Sequence, residues 1–164
     1  MQDIDIPKII DFTLDLKPYL QKYATHQAGN KRLMVRASSE YGQYVLKHAT
    51  YPPKGWRREH LPVKQRFKLR MHEEEFVNAG RGMWLSSTHL EFLASLIEKD
   101  FWLQLYEFVL ERRMKYGEKE LVSIRKFRHH FHISEEEYLE ESMYKRFRRI
   151  KESRMKLVHT GFCE

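Results

Sequence analysis

Apolar residues recur along much of the chain at the three- and four-residue spacing of a buried helical face. The first such stretch predicts a helix over residues 7–27, with Pro18 kinking or dividing it and Ala28, Gly29 and Asn30 ending it. Its apolar positions are Ile6, Ile9, Ile10, Leu14, Leu16, Leu20 and Tyr23.

Residues 30–71 have a different pattern, in which short extended segments at 31–37 and 63–71 flank a short helix at 39–49 and a Pro- and Gly-rich loop. The second extended segment alternates well between apolar and basic positions, which predicts a half-buried strand with a basic outer face. Its apolar face carries Val63, Phe67, Leu69 and Met71, and its outer face carries Lys64, Arg66, Lys68 and Arg70. A third short strand is predicted through residues 83–85.

The strongest helical pattern covers residues 88–116, between the capping residues Ser86 and Ser87 and the terminating Gly117. It is apolar around most of its circumference, which predicts a central core helix. Two further helices are predicted at 119–130 and 134–156, the last one opened by a capping box of Ser134 and Glu137.

These elements predict a mainly α (α+β) fold with a helical core around a long central helix, a small two- or three-stranded sheet and a C-terminal helix-turn-helix-like pair. The predicted divisions are a helical core with a small basic sheet at 1–117, a helical pair packed on that core at 118–158, and a tail at 159–164. A chain of 164 residues with 41% hydrophobic residues is long and apolar enough to fold around one core.

Positive charge is concentrated in two parts of the chain. The chain has 30 Lys and Arg against 23 Asp and Glu, a formal charge of +7. The net charge is +9 for residues 29–70 and +3 for 124–164, but −1 for 1–28 and −4 for 71–123. Such a bias indicates a polyanionic partner, most commonly nucleic acid, although a basic surface can also serve solubility alone.

Cellular location follows from a few features. Cys163 is the one cysteine, so no intramolecular disulfide can form. Acidic Asp3 and Asp5 stand where a secretion signal needs positive charge, and no apolar run approaches the roughly 18 to 20 residues of a membrane span. We expect a cytoplasmic protein with no membrane partner.

The basic segment 29–70 mixes cations with the aromatic residues Tyr41, Tyr44, Tyr51, Trp56 and Phe67. Cations neutralise phosphates and aromatic rings stack on exposed bases, so this mixture favours nucleic-acid binding. A solvated basic face with its aromatic residues in the core is the alternative. The predicted contact residues here are Lys31, Arg32, Arg36, Arg57, Arg58, Lys64, Arg66, Lys68 and Arg70.

The two C-terminal helices have the outline of a helix-turn-helix, with a tight link at His132 and Ile133. Acidic residues at the start of the second helix, including Glu135 and Glu140, oppose groove docking but suit the helix dipole, so a purely structural hairpin stays open. A homodimer is compatible with such a pair, because helix-turn-helix proteins bind paired half-sites. The predicted contact residues are Arg125, Arg128, Lys145, Arg146 and Arg149.

Catalytic and metal chemistry have little support. His129, His130 and His132 lack the further ligands of a zinc site, and the acidic run after His72 has no accompanying catalytic motif. We expect no catalytic residue, metal or cofactor, and thus a non-enzymatic protein that regulates transcription or assists on duplex DNA. The alternatives are a protein–protein assembly module using the apolar helix at 88–116, and a metal-dependent nuclease with scattered acids.

Overall fold

A computed structural model describes residues 8–29, 32–55 and 66–160 of the chain. The described part is mainly helical, with a long central helix and a small mixed sheet, which confirms the predicted fold class. Its elements in chain order are β1 (Ile9–Asp15), α1 (Pro18–Ala28), β2 (Arg32–Met34), α2 (Glu40–His48), β3 (Arg66–His72), α3 (Glu73–Asn78), α4 (Ser87–Tyr116), α5 (Glu120–His130) and α6 (Glu140–Thr160).

The predicted helix over residues 7–27 is wrong in its first half, because β1 occupies residues 9–15. Phe12 and Leu14 are buried on one face of that strand, and Leu16 continues the alternation. Pro18 begins α1 instead of kinking a longer helix, since the first helical position needs no backbone N–H. Gly29, with φ at 69°, ends α1 as predicted.

The sheet has β3 in the middle, with β1 antiparallel on one side and β2 parallel on the other. Phe67, Leu69 and Met71 of β3 are buried, and Lys68 and Arg70 point to the opposite, partly exposed face. The predicted alternation is therefore confirmed from residue 67 onward, while positions 63–65 lie outside the described residues.

The segment 83–85 forms no strand of this sheet, so the predicted third strand is wrong. Trp84 makes a single antiparallel bridge with Thr50, through N···O contacts of 2.9 and 3.0 Å. The helix α3, which the sequence did not predict, follows β3 directly and begins with three glutamates that complement its dipole. Its buried Phe76 packs on Phe12, with ring centroids 5.9 Å apart.

The helix α2 confirms the short helix predicted at 39–49. The Ser39 hydroxyl oxygen accepts a hydrogen bond from the Gly42 N–H at 3.1 Å and thereby caps the first turn. Gly42 is buried and lies so close to the preceding loop that a Cβ there would be 2.0 Å from the carbonyl oxygen of Arg36. Only glycine lets the helix approach that backbone so closely.

The chain forms two compact units. The first comprises Met1–Lys17 and Ala24–Leu96, and the second comprises Pro18–Tyr23 and Ile97–Glu164. The sequence-based boundaries at residues 117 and 158 stay a prediction. Throughout the described ranges, no helix has both the length and the hydropathy needed to cross a membrane.

The core of the second unit is largely aromatic. Tyr19 contacts Phe101 at a centroid distance of 5.2 Å, and Tyr23 contacts both Phe101 and Phe131 at 5.3 and 5.2 Å. Phe127 joins this group, 5.5 Å from Phe101. Edge-to-face ring pairs of this kind stabilise the fold beyond the free energy of apolar burial.

The predicted C-terminal helical pair is present, but its link is longer than expected. The second helix begins at Glu140 and not at Ser134, so residues 131–139 separate the helices. The Ser134 N–H does donate to Glu137 at 2.9 Å, yet this hydrogen bond closes a separate turn before α6. A helix-turn-helix uses a turn of roughly three or four residues, so this pair has a looser connection.

Candidate nucleic-acid interface

The two units carry different sets of the predicted contact residues. Lys31, Arg57, Arg58 and Lys64 lie outside the described residues, and Arg66 begins β3. The first unit also holds Arg32, Arg36, Lys68 and Arg70. The second unit holds Arg125, Arg128, Lys145, Arg146 and Arg149.

The outer face of the sheet brings cations from β2 and β3 together. The parallel register places Arg32 beside Lys68, and the antiparallel register places Asp11 opposite Arg70. The Asp11 carboxylate lies 3.0 Å from Nζ of Lys68 and 2.7 Å from Nε of Arg70, so two cations share one acid.

The ionisation of Asp11 reflects this sharing. Burial opposes its charge, but hydrogen bonds and charge from Lys68 and Arg70 outweigh burial and lower the pKa of the Asp11 carboxyl. Asp11 is therefore ionised at neutral pH and neutralises one of the two cations. The other cation leaves this group of three side chains with net positive charge.

Three more cations of the first unit lie on or next to α2 and on the following loop. Arg36, Lys47 and Lys54 are all exposed. Among residues 8–29, 32–55 and 66–160, none of these three forms an ion pair with a carboxylate. Unpaired exposed cations of this kind are the groups that neutralise phosphates.

The cations of α5 are paired with the acids that precede and begin α6. Arg128 is buried, lies 2.5 Å from Glu135 and 3.5 Å from Glu140, and donates to the carbonyl of Tyr138 at 3.1 Å. Arg125 donates to both carboxylate oxygens of Glu140 at 2.9 to 3.1 Å. These interactions join α5 to α6, and they explain why glutamates begin the second helix.

Several cations of α6 are paired in the same way. Lys145 lies 2.7 Å from Glu141, and Arg146 lies 3.4 Å from Glu98 with its guanidinium 4.7 Å from the centroid of the Trp102 ring. Arg149 is exposed and has no carboxylate partner in the described part of the chain. Each surface ion pair is weak. Among the described residues, most cations of α5 and α6 thus have a carboxylate neighbour, whereas exposed Arg149 and Arg154 have none.

An aromatic cluster in the first unit went unnoticed in the sequence. It consists of Tyr44 and His48 from α2 and His89 and Phe92 from α4. The Tyr44 ring lies 4.6 Å from Phe92 and 4.5 Å from His48, and the two imidazoles are 4.4 Å apart. The two residues on α2 are four apart and the two on α4 are three apart, so the sequence shows that each pair shares one face of its helix. The two pairs are far apart in the chain, however, and the sequence does not show that they meet.

The described ranges contain no group of three His, Cys, Asp or Glu residues that could hold a metal ion. His129 and His132 are exposed, with ring centroids 6.4 Å apart. The acids after His72 form the first turn of α3, where they complement the helix dipole.

Comparison of the chain with models of protein families, with curated proteins and with solved structures gives no match. Any function assigned to it must therefore come from the charges, packing and exposure of its own residues.

Proposed function

We propose that this protein binds nucleic acid without catalysing a reaction on it, and that the first unit binds the phosphates. The observation that carries the proposal is the group of exposed cations on and around α2 that have no carboxylate partner among the described residues, in contrast to the mostly paired cations of α5 and α6. Exposed Arg36, Lys47 and Lys54 have no carboxylate partner within the described residues, whereas Arg125 and Arg128 contact glutamates.

The composition of the basic segment supports the same surface. Residues 29–70 contain eleven Lys and Arg against two acids. Cations that neutralise phosphates release the counterions condensed on a nucleic acid, and this release supplies most of the non-specific binding free energy. A regulatory or accessory role on DNA in the cytoplasm remains part of the proposal, with the main binding surface assigned to the first unit.

The test is a fluorescence anisotropy titration of labelled duplex DNA and single-stranded DNA at about 50 and about 200 mM salt. We expect binding that weakens steeply with salt. Replacing Arg36, Lys47 and Lys54 together by Gln removes up to three cations that neutralise phosphates. The slope of log K against log salt on duplex DNA should become shallower by about 0.9 for each phosphate that is no longer neutralised.

A matched triple replacement in the second unit, Arg148→Gln with Arg149→Gln and Arg154→Gln, removes the same formal charge and serves as the control. If the control weakens binding more than the first triple, the surface assignment is wrong. If the native chain binds neither duplex nor single strand at the lower salt concentration, the proposed function itself is wrong.

The same preparation tests the two alternatives. Light scattering reports whether the chain assembles with itself, for which exposed Met114 and Tyr116 at the end of α4 are the natural contacts. Incubation with plasmid and magnesium or manganese reports nuclease activity. An assembled protein that binds no nucleic acid would favour the assembly module, and cut plasmid would favour the nuclease.

A further inference from the structure

The aromatic cluster, made of Tyr44, His48, His89 and Phe92, is formed by two helix faces of the first unit. Residues four apart on α2 and three apart on α4 lie on one side of each helix, so each helix contributes two rings to the same place. The four rings form a continuous group, with centroid distances from 4.4 to 5.9 Å between neighbours. This group of planar side chains lies in the unit that carries Arg36, Lys47 and Lys54.

The contact between Tyr44 and Phe92 differs from the other ring contacts of the described residues. Its planes are 19° apart, whereas the next smallest angles are 30° and 35°. Phe92 is nevertheless 46% exposed, so the stack ends in a ring that meets solvent. A core aromatic pair has no need for such exposure, but a stacking platform for a further planar group requires it.

The platform is held in place before any ligand arrives. The hydroxyl of Tyr44 and Nδ1 of His89 lie 2.9 Å apart, within hydrogen-bond distance, and this contact links the two helices beside the stack. Ordered rings lose little conformational entropy on binding, which favours affinity.

Two exposed cations lie near the cluster. Lys47 precedes His48 on α2 and is exposed, and exposed Arg81 is close enough to act electrostatically on His48. A planar ring with cations nearby fits one ligand chemistry well, an aromatic base attached to a phosphate. In a duplex both faces of a base are covered by its neighbours, so a protein ring can stack only on a base that is unpaired or unstacked.

We propose that the aromatic cluster is a stacking site for an unpaired base of a single-stranded nucleic acid, with Phe92 as the ring that the base contacts. This inference rests on the proposed nucleic-acid binding and adds the form of the ligand. The cations bind phosphates, which duplex and single strand have in common, and Phe92 supplies the preference for single strand.

The test compares Phe92→Ala with the native chain on a single-stranded oligonucleotide of about 12 nucleotides carrying 2-aminopurine, and on the matched duplex. We expect the replacement to weaken single-strand binding by about 5- to 100-fold, the effect of losing one stacked base, and to leave duplex binding unchanged. Native protein should quench 2-aminopurine fluorescence, because quenching reports stacking. Phe92→Tyr, which keeps a planar ring, should restore both binding and quenching.

Val77→Ala is the matched control, because Val77 is also an exposed apolar residue of the first unit, at 63% exposure. Circular dichroism of each variant verifies its fold. Equal single-strand binding by native protein and Phe92→Ala would overturn the stacking site and leave the proposed function standing. Equal reductions in affinity on single strand and duplex would also overturn it, and native protein that binds neither ligand would overturn both proposals.

Discussion

Replacing Gly42 by Ala tests how tightly α2 packs against the loop before it. Gly42 is buried, and an added Cβ would lie 2.0 Å from the carbonyl oxygen of Arg36, 2.7 Å from its carbonyl carbon and 3.1 Å from Cα of Ala37. Ordinary contact of a Cβ begins near 3.4 Å, so either the helix or the loop must move. The contacted atoms belong to the backbone and cannot rotate away as a side chain would.

Two opposing effects decide the sign. In an unconstrained helix interior, Gly→Ala stabilises by about 1 kcal/mol, because alanine has the higher helix propensity. Overpacking a filled site costs about 1–3 kcal/mol and more where backbone has to shift. We expect overpacking to win, since the closest atom is a backbone carbonyl oxygen, and the net decrease in unfolding free energy to be about 1–2 kcal/mol.

The assay is urea unfolding followed by circular dichroism, with the free energy taken from the midpoint and the slope of the transition. Gln43→Ala is the control, because Gln43 is exposed on the same helix and both residue types favour helices. A Gly42→Ala chain as stable as the native one, or more stable, would refute the close approach of α2 to Arg36.

Two pH-dependent predictions follow from perturbed side chains, each measured by thermal unfolding. Burial and the nearby charges of His89 and neighbouring cations lower the pKa of His48 from 6.5, so the unfolded chain binds the proton first. The free energy of unfolding should therefore decrease as the pH drops below 6.5, and it should decrease less in His48→Gln. Hydrogen bonds from Arg112 and Lys126 lower the pKa of Glu118 from 4.5 to about 2. Glu118→Gln should be the less stable chain at pH 7, with a deficit that shrinks below pH 4.5; a constant deficit would contradict this.

Helices with clear ends could be predicted from sequence. The predicted start and end of α4 agree with the structure to within one residue, because Ser86 and Ser87 lie at its start and Gly117, with φ at 63°, follows it. The strand β1 could not be predicted, since Ile10, Leu14 and their neighbours satisfy both a helical and an alternating period. Pairing with β3, far along the chain, selects the strand.

The charge bias of the candidate site could be predicted, but not the pairing of its charges. Asp11 meets Arg70 only because the two strands adopt one register, and Arg125 meets Glu140 only because α5 packs on α6. The aromatic cluster depends in the same way on the packing of α2 against the start of α4. Sequence spacing defines which residues share a face of one element, whereas tertiary contacts decide what that face meets.

The second unit consists of two segments of chain that are made at different times. Tyr19 and Tyr23 are synthesised before the rings they pack against, which belong to residues 97–164. At roughly 5–20 residues per second, a ribosome needs on the order of 10 seconds to make the missing segment. During that interval the first unit can already fold, while Tyr19 and Tyr23 lack the aromatic rings against which they pack. Synthesis of residues 97–164 is thus the step that permits the second core to form, and a chain truncated after residue 96 would leave these aromatic side chains uncovered.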